Sequence, residues 1–348
     1  MKFSEEKKKN LLFQIAKKMK YLPNISVTQL SEELHISRTV IYKYIKFLED
    51  EGIIFKTQNG IRRLKILSIC KYKLENYKLD ETTIYNNYIA PKLKQLDSRC
   101  VSKMSYACQE MINNVIEHSE GSLLGIIVAE DYVSFRVLII DNGIGIFEKI
   151  KSHFNLEYLS DAILELDKGK CTTASQNHSG EGIFFSSKMF DLFFIQANGI
   201  EYISKNDLAL NFLLENTKGS INKGTWVSME MSKDNVVPIE TIFNQYSDAD
   251  LGFNKTIVPV VHLIDKKNET DMSLMSRSQA RRLLHRFDSF SKVILDFESV
   301  EFIGQGFADE IFRVYSNLHP SIDILYVNAN EKVEQMIKHA KYTIHKTE

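Results

Sequence analysis

Three stretches near the middle of the chain carry residue types from which a binding or catalytic site can be built. In Ala107–His118, the residues Glu110, Asn114 and His118 recur at i, i+4 and i+8, so they line one face of a helix. Met111, Ile112, Val115 and Ile116 form the flank beside them, and on its own such a polar stripe is ordinary amphipathicity. Two glycine-rich segments follow. Asp141-Asn142-Gly143-Ile144-Gly145 closes a strand-like run, and Asn177-His178-Ser179-Gly180-Glu181-Gly182-Ile183 opens a helical one. Turns of that kind are where backbone N–H groups approach phosphates, so nucleotide folds can be tested on spacing. A dinucleotide fingerprint needs a third glycine three places after Gly145, where Glu148 stands. A Walker loop needs Gly-Lys-Ser/Thr, which neither segment supplies. Both are excluded.

The elements that must position these residues follow from periodicity. Asp80–His118 reads as helical, with Pro91 opening a new stretch. Leu123–Glu130 and Tyr132–Ile140 read as an antiparallel strand pair. A helix then runs through Asp191, and three strand-like segments follow, the last being Gly224–Glu230. Four boxes in this order, Glu110 to Asn114, DNGIG, SGEG and the strand with Gly224-Thr225, resemble those of the GHKL ATPases, the superfamily of gyrase, the large heat-shock chaperones, histidine kinases and MutL. The resemblance covers roughly Leu74 to Met231, and the helix ending in His118 looks most like that of the anti-sigma-factor kinases.

That resemblance implies an α/β sandwich, with helices on one face of a mixed sheet, that takes ATP and Mg²⁺. Under it, Glu110 is the catalytic residue, polarising a water or hydroxyl for attack on the γ-phosphate. Asn114 supplies a neutral oxygen ligand to Mg²⁺, with Asn113 as the alternative. Asp141 accepts a hydrogen bond from the adenine amino group, Gly143 and Gly145 leave room for the base, and Thr225 fixes a water beside it. Gly180 and Gly182 bring backbone amides and a helix N-terminus to the phosphates. The stretch Lys168–Thr173 and His178 would belong to a lid, with Lys170 meeting phosphate, while His118 is either a helix end or a metal or phosphate contact.

The ends of the chain carry different signals. Residues 1–73 hold 16 Lys and Arg against 7 Asp and Glu, although the whole chain balances at −1. A basic end on an acidic body points to nucleic acid, or to a solvated lysine-rich surface. Helical spacing over Lys7–Lys20, Val27–Leu34 and Arg38–Glu51, with Ser26 and Ser37 as N-caps, is followed by short extended pieces, Ile53–Thr57 and Ile61–Ile66, around Asn59-Gly60. Three helices and a hairpin resemble a winged helix-turn-helix. The resemblance implies that Ser37, Arg38, Thr39, Tyr42 and Lys43 read bases or phosphates from the second helix of the pair, and that Arg62 and Arg63 grip phosphate from the wing. A protein-interaction module of the same shape is the alternative.

From Ile257 onward, strand and helix alternate, which predicts a small sheet covered by helices. Lys292–Phe307 resembles the central strand, turn and helix start of STAS domains, the anti-anti-sigma fold. In that family the turn carries a phosphate-accepting serine. Here it reads Gly304-Gln305-Gly306, which has no hydroxyl to phosphorylate.

Length and composition bound the rest. At ~150 residues per domain, 348 residues predict two or three domains. The segments are 1–73, a winged helix-turn-helix; 74–235, a GHKL ATP-binding domain; and 250–348, a STAS-like α/β domain. Together they make a multidomain α+β protein. No apolar run approaches the ~20 residues of a membrane span. The N-terminus lacks a secretory pattern, and the four cysteines match no zinc spacing, so reduced thiols in the cytoplasm are expected. The combined expectation is an ATP-switched, DNA-binding regulator, with DNA met by 1–73, a protein partner at the STAS-like domain, and oligomerisation left open. The alternative is a protein serine/threonine kinase of the anti-sigma-factor type.

Overall fold

The structure, a computed structural model, describes residues 4–171, 180–206, 210–215, 223–247, 252–264 and 273–342. Thr172, Thr173 and His178, expected in a lid, lie outside the described residues.

The N-terminal unit is three helices and a hairpin: α1 (Glu5–Tyr21), α2 (Val27–Leu34), α3 (Arg38–Asp50), β1 (Ile54–Lys56) and β2 (Arg62–Leu64). Ser26 and Gln29 form a reciprocal capping box at the start of α2. His35, in the left-handed region at φ 54°, turns the chain into α3. Ser37 stands at the N-cap of α3 as expected by position, but its side chain makes no capping hydrogen bond. Ile15, Leu30, Ile41, Ile45, Leu48 and Ile54 form a separate small core, to which Val133 of the next unit contributes.

A strand not expected from the sequence, β3 (Ile66–Glu75), follows at once and pairs with the central sheet, which therefore begins inside the segment 1–73. It is an edge strand whose first part, residues 66–69, is exposed on both faces, while residues 70–75 alternate between half-buried and exposed positions, with Tyr72 and Leu74 packed on the core. Next come α4 (Glu81–Ile84), a π turn (Tyr85–Ile89) and a 3-10 turn (Ala90–Lys92). Pro91 sits in that short turn. The long helix α5 (Ser98–His118) starts only after Asp97, whose Oδ1 accepts from the Arg99 N–H at 2.9 Å. The remaining elements are β4 (Leu123–Asp131), β5 (Ser134–Asp141), α6 (Ile146–Phe154), α7 (Asp161–Lys168), α8 (Gly182–Met189), β6 (Leu192–Ala197), β7 (Ile200–Lys205), β8 (Leu210–Glu215) and β9 (Thr225–Ser232). Four strands, not three, therefore follow α8.

Sheet order is β3-β4-β5-β9-β6-β7-β8, and every neighbouring pair is antiparallel. The mixed sheet expected from the resemblance is corrected to an antiparallel one. β4 to β5 and β6 to β7 are joined by turns of two residues, which only antiparallel neighbours permit. Cys100, Met104, Ala107, Cys108, Met111, Ile112 and Val115 bury one face of α5 in the sheet's core. The opposite face is left to line a cleft.

α9 (Ile239–Tyr246) packs on α5 and α8, and the C-terminal unit comprises β10 (Lys255–Pro259), a 3-10 turn (Val260–Leu263), β11 (Ser273–Leu274), α10 (Arg277–Leu284), β12 (Lys292–Asp296), β13 (Phe302–Ile303), α11 (Gln305–Asp309), a π turn (Glu310–Tyr315), α12 (Ser316–Leu318), β14 (Asp323–Val327) and α13 (Glu331–Tyr342). β10, β12 and β14 are parallel neighbours, as α/β alternation requires. Its core is continuous with that of the central unit. No described helix is long and apolar enough to cross a membrane.

The seam between these units holds a buried acid whose titration can be tested. Burial opposes the charge on Glu165, but Lys168, His285 and Arg286 outweigh it and hold its pKa down at about 2. A carboxyl with a depressed folded pKa contributes fully above its unfolded value of ~4.3 and loses that contribution as pH falls toward the folded value. Thermal melts between pH 6 and pH 3 should therefore show wild type losing Tm more steeply than Glu165→Gln. Parallel losses would rule out the ionised state of Glu165 as a source of stability.

Candidate functional site

The described residues form a cleft between α5, the end of β5, α6, the start of α8 and the start of β9, with about 1020 Å³ of space counting its open mouth. Glu110, Asn113, Asn114 and His118 reach it from the outward face of α5. Asp141, Gly145, Gly180, Gly182 and Thr225 also line it. Residues separated by more than 110 positions in sequence thus converge on one wall.

Gly143 is the exception. It is not among the residues that line the cleft, and a Cβ there would overlap the backbone of Ser119, so the chain's own packing requires a glycine. Gly182 has a comparable reason that bears on the site: a Cβ there would overlap the Glu110 carboxylate. The Glu110 side chain, as placed, occupies the space that the bare Gly182 leaves between α5 and α8.

Asp141 is buried, and burial raises its pKa against the opposing pull of the Gly143 N–H and Thr225. Its Oδ1 accepts from the Gly143 N–H at 2.8 Å. Thr225 Oγ1 accepts from the Ile146 N–H at 3.1 Å, tying the start of β9 to α6. Burial first, then the charges of Glu110 and Glu181, push the phenol of Tyr106, a fellow lining residue of the cleft, upward. His118 lies with Nε2 3.7 Å from Glu117 Oε2.

Two expectations for the lid segment are corrected. Lys168 is wholly buried and donates to Glu165 Oε1 at 2.7 Å. The Lys170 ammonium donates to Asn254 Oδ1 at 3.0 Å and to the Ser289 carbonyl at 2.8 Å, so it is held against the C-terminal unit. Acidic and carbonyl partners captured both lysines, and nothing local in the sequence signals that.

Sequence reasoning missed Tyr106, Lys149 and Glu181 as cleft residues. Tyr106 was within reach, one helical turn before Glu110 on the same face. Glu181 sits inside the SGEG motif, where only the glycines drew a role. Lys149, which pairs with Glu120 at 2.6 Å, follows DNGIG by one turn of α6. Cys171 stood inside the stretch expected in the lid, and burial pushes its thiol up to about 12.

The donor set fits a hard cation. Asn113, Asn114, Glu110 and Glu181 offer oxygen atoms at the cleft, and Mg²⁺ takes few protein ligands when phosphate supplies the rest. Among the described residues, no cluster of three or more His, Cys, Asp and Glu side chains could hold a metal by itself.

At the other end of the molecule, Ser37, Arg38, Thr39, Tyr42 and Lys43 are all exposed along one side of α3, while Ile41, Tyr44, Ile45 and Leu48 face inward. The two wing arginines differ. Arg63 is exposed, whereas Arg62 turns back and donates through Nε to Glu49 Oε1 at 2.8 Å. Arg63 is thus the exposed arginine of the wing, and Arg62 would first have to leave Glu49 to meet a phosphate. Arg63→Ala should weaken binding to specific and random duplexes alike and lower the log–log salt slope by about one unit. Arg62→Ala should lower it by less. Salt titrations of both variants decide this, and equal slopes would overturn the distinction.

A family model described as an HTH domain matches residues 12–62. A second, described as a STAS-like domain of unknown function (DUF4325), matches residues 279–334. No curated protein matches the chain. The protein therefore carries an N-terminal helix-turn-helix domain and a C-terminal STAS-like domain, joined through a unit built on a large antiparallel sheet.

Proposed function

We propose that the protein is a DNA-binding regulator whose central unit, residues 74–235, is a GHKL-type domain that binds ATP and thereby adjusts the terminal domains. The observation that carries this reading is the convergence of Glu110, Asn114, Asp141 and the glycine-flanked start of α8 on one cleft. In this reading the buried Asp141 accepts a hydrogen bond from the adenine amino group, which favours adenine over guanine. The N–H groups at Gly180 and Gly182, with the N-terminus of α8, face the phosphates. Asn114 would hold Mg²⁺, whose charge, when bound, offsets that of the phosphates. Glu110 stands across from Gly182 and orients the attacking hydroxyl. ATP can shift the terminal domains only if it binds one arrangement better than another.

Footprinting of the full chain over its own promoter region, with and without Mg·ATP, tests the proposal. The expected result is a protected site whose occupancy changes with Mg·ATP. A folded protein that protects no DNA at low salt in either condition would overturn the regulator reading.

One observation favours a second reading, phosphoryl transfer to a separate protein: Glu110 lies in the cleft, while the Gly304-Gln305-Gly306 turn offers no hydroxyl within the chain's own STAS-like domain. Transfer of label from γ-labelled ATP to a second protein would support it.

A further inference from the structure

The central and C-terminal units meet along α7, and their seam is ionic and buried. All eight residues of α7 are buried, four of them ionisable: Asp161, Glu165, Asp167 and Lys168. The C-terminal unit meets the three acids with basic side chains. Arg282 Nε donates to Asp161 Oδ1 at 2.9 Å. Arg286 donates to Glu165 Oε2 at 2.8 Å, with His285 Nδ1 3.0 Å from Oε1 of the same carboxylate. His262 Nδ1 lies 2.6 Å from Asp167 Oδ2, and the Tyr202 hydroxyl donates to Asp167 Oδ1 at 2.8 Å.

Arg286 does more than pair with an acid. Its Nη2 also donates to the backbone carbonyl of Lys170. The next residue, Cys171, lines the cleft, and its N–H donates to the Gly180 carbonyl at 2.9 Å. Gly180 and Gly182 belong to the same wall. An unbroken path of bonded groups therefore runs from the end of α10 in the STAS-like domain to the part of the cleft nearest the start of α8.

We infer that the STAS-like domain regulates the cleft. By fixing the Lys170 carbonyl through Arg286 it pre-organises the wall made by Cys171, Gly180 and Gly182, so that cleft occupancy and docking of the C-terminal unit stabilise each other. This rests on the reading of the cleft as a nucleotide site. Two physical facts give it force. A wall already ordered saves the ligand the cost of ordering it. The seam also resists partial opening, because releasing Arg286 leaves the buried Glu165 short of a partner. The effect is reciprocal: whatever loosens α10 lowers nucleotide affinity, and nucleotide tightens α10 by the same factor. A partner that engages the STAS-like domain would then report to the cleft without touching it.

The test uses the full chain. Hydrogen exchange of residues 277–290 is followed in wild type with and without Mg·ATP, and Mg·ATP affinity is measured for wild type, Arg286→Ala, Arg286→Lys and the exposed control Lys338→Ala. The expected results are slower exchange across 277–290 with nucleotide, about tenfold weaker Mg·ATP binding by Arg286→Ala, part recovery in Arg286→Lys, and no change in Lys338→Ala. Wild type that binds Mg·ATP with unchanged exchange at 277–290 would overturn the inference, even if Arg286→Ala does not fold. Wild type that binds no Mg·ATP would overturn the nucleotide reading, and this inference with it.

Discussion

Glu110→Gln is expected to bind Mg·ATP nearly as wild type does and to lose turnover by ~10²–10⁴-fold, the usual worth of a positioned general base. The substitution keeps the shape that fits against the bare Gly182 and removes only the charge and the proton-accepting oxygen. Binding and chemistry therefore separate. Asn114→Ala should behave differently and weaken Mg²⁺-dependent binding itself, since its oxygen is assigned to the cation. Steady-state hydrolysis and calorimetric affinity on the same preparations distinguish the two. A Glu110→Gln protein that turns over ATP at the wild-type rate would exclude Glu110 as the base.

Asp141→Asn is expected to weaken ATP binding about tenfold to hundredfold, because a hydrogen bond to a charged acceptor is worth ~1.5–3 kcal/mol. The carboxylate is buried, so water does not compete for its acceptor oxygen as it would at the surface. The hydrogen bond that Asp141 now receives from the Gly143 N–H can still be accepted by the amide oxygen of the substituted side chain, which limits collateral damage to the turn. Thermal melts of the variant separate lost affinity from lost fold. Unchanged ATP affinity in a folded variant would remove Asp141 from the base-recognition role.

Local patterns made the N-terminal domain and most of the cleft legible in the sequence. The α3 positions that face outward were readable because a single amphipathic helix declares its own inside and outside, as Ile41 and Ile45 against Arg38 and Tyr42 do. The outward face carrying Glu110 and Asn114 was readable for the same reason, but their proposed roles came from the order of the four boxes. What stayed hidden depends on contacts between distant segments. Lys170 carries no local mark that it will bond Asn254 and Ser289 instead of a ligand. Arg62 looks like its neighbour Arg63 until the hairpin folds back beside Glu49. β3 escaped notice because only Lys65 separates it from the hairpin and its first four residues are exposed, although the alternation over residues 70–75 was there to be read. The packing demand on Gly143 was hidden because a glycine needed for backbone approach to Ser119 reads in sequence like one needed for a ligand.

The most direct measurement is a calorimetric titration of the full-length wild-type protein with Mg·ATP, repeated with Mg·GTP. The expected result is one saturable site per chain for Mg·ATP and markedly weaker binding of Mg·GTP. A folded protein that binds neither nucleotide would contradict the assignment of the cleft, and one that binds both equally would contradict recognition of the base by Asp141.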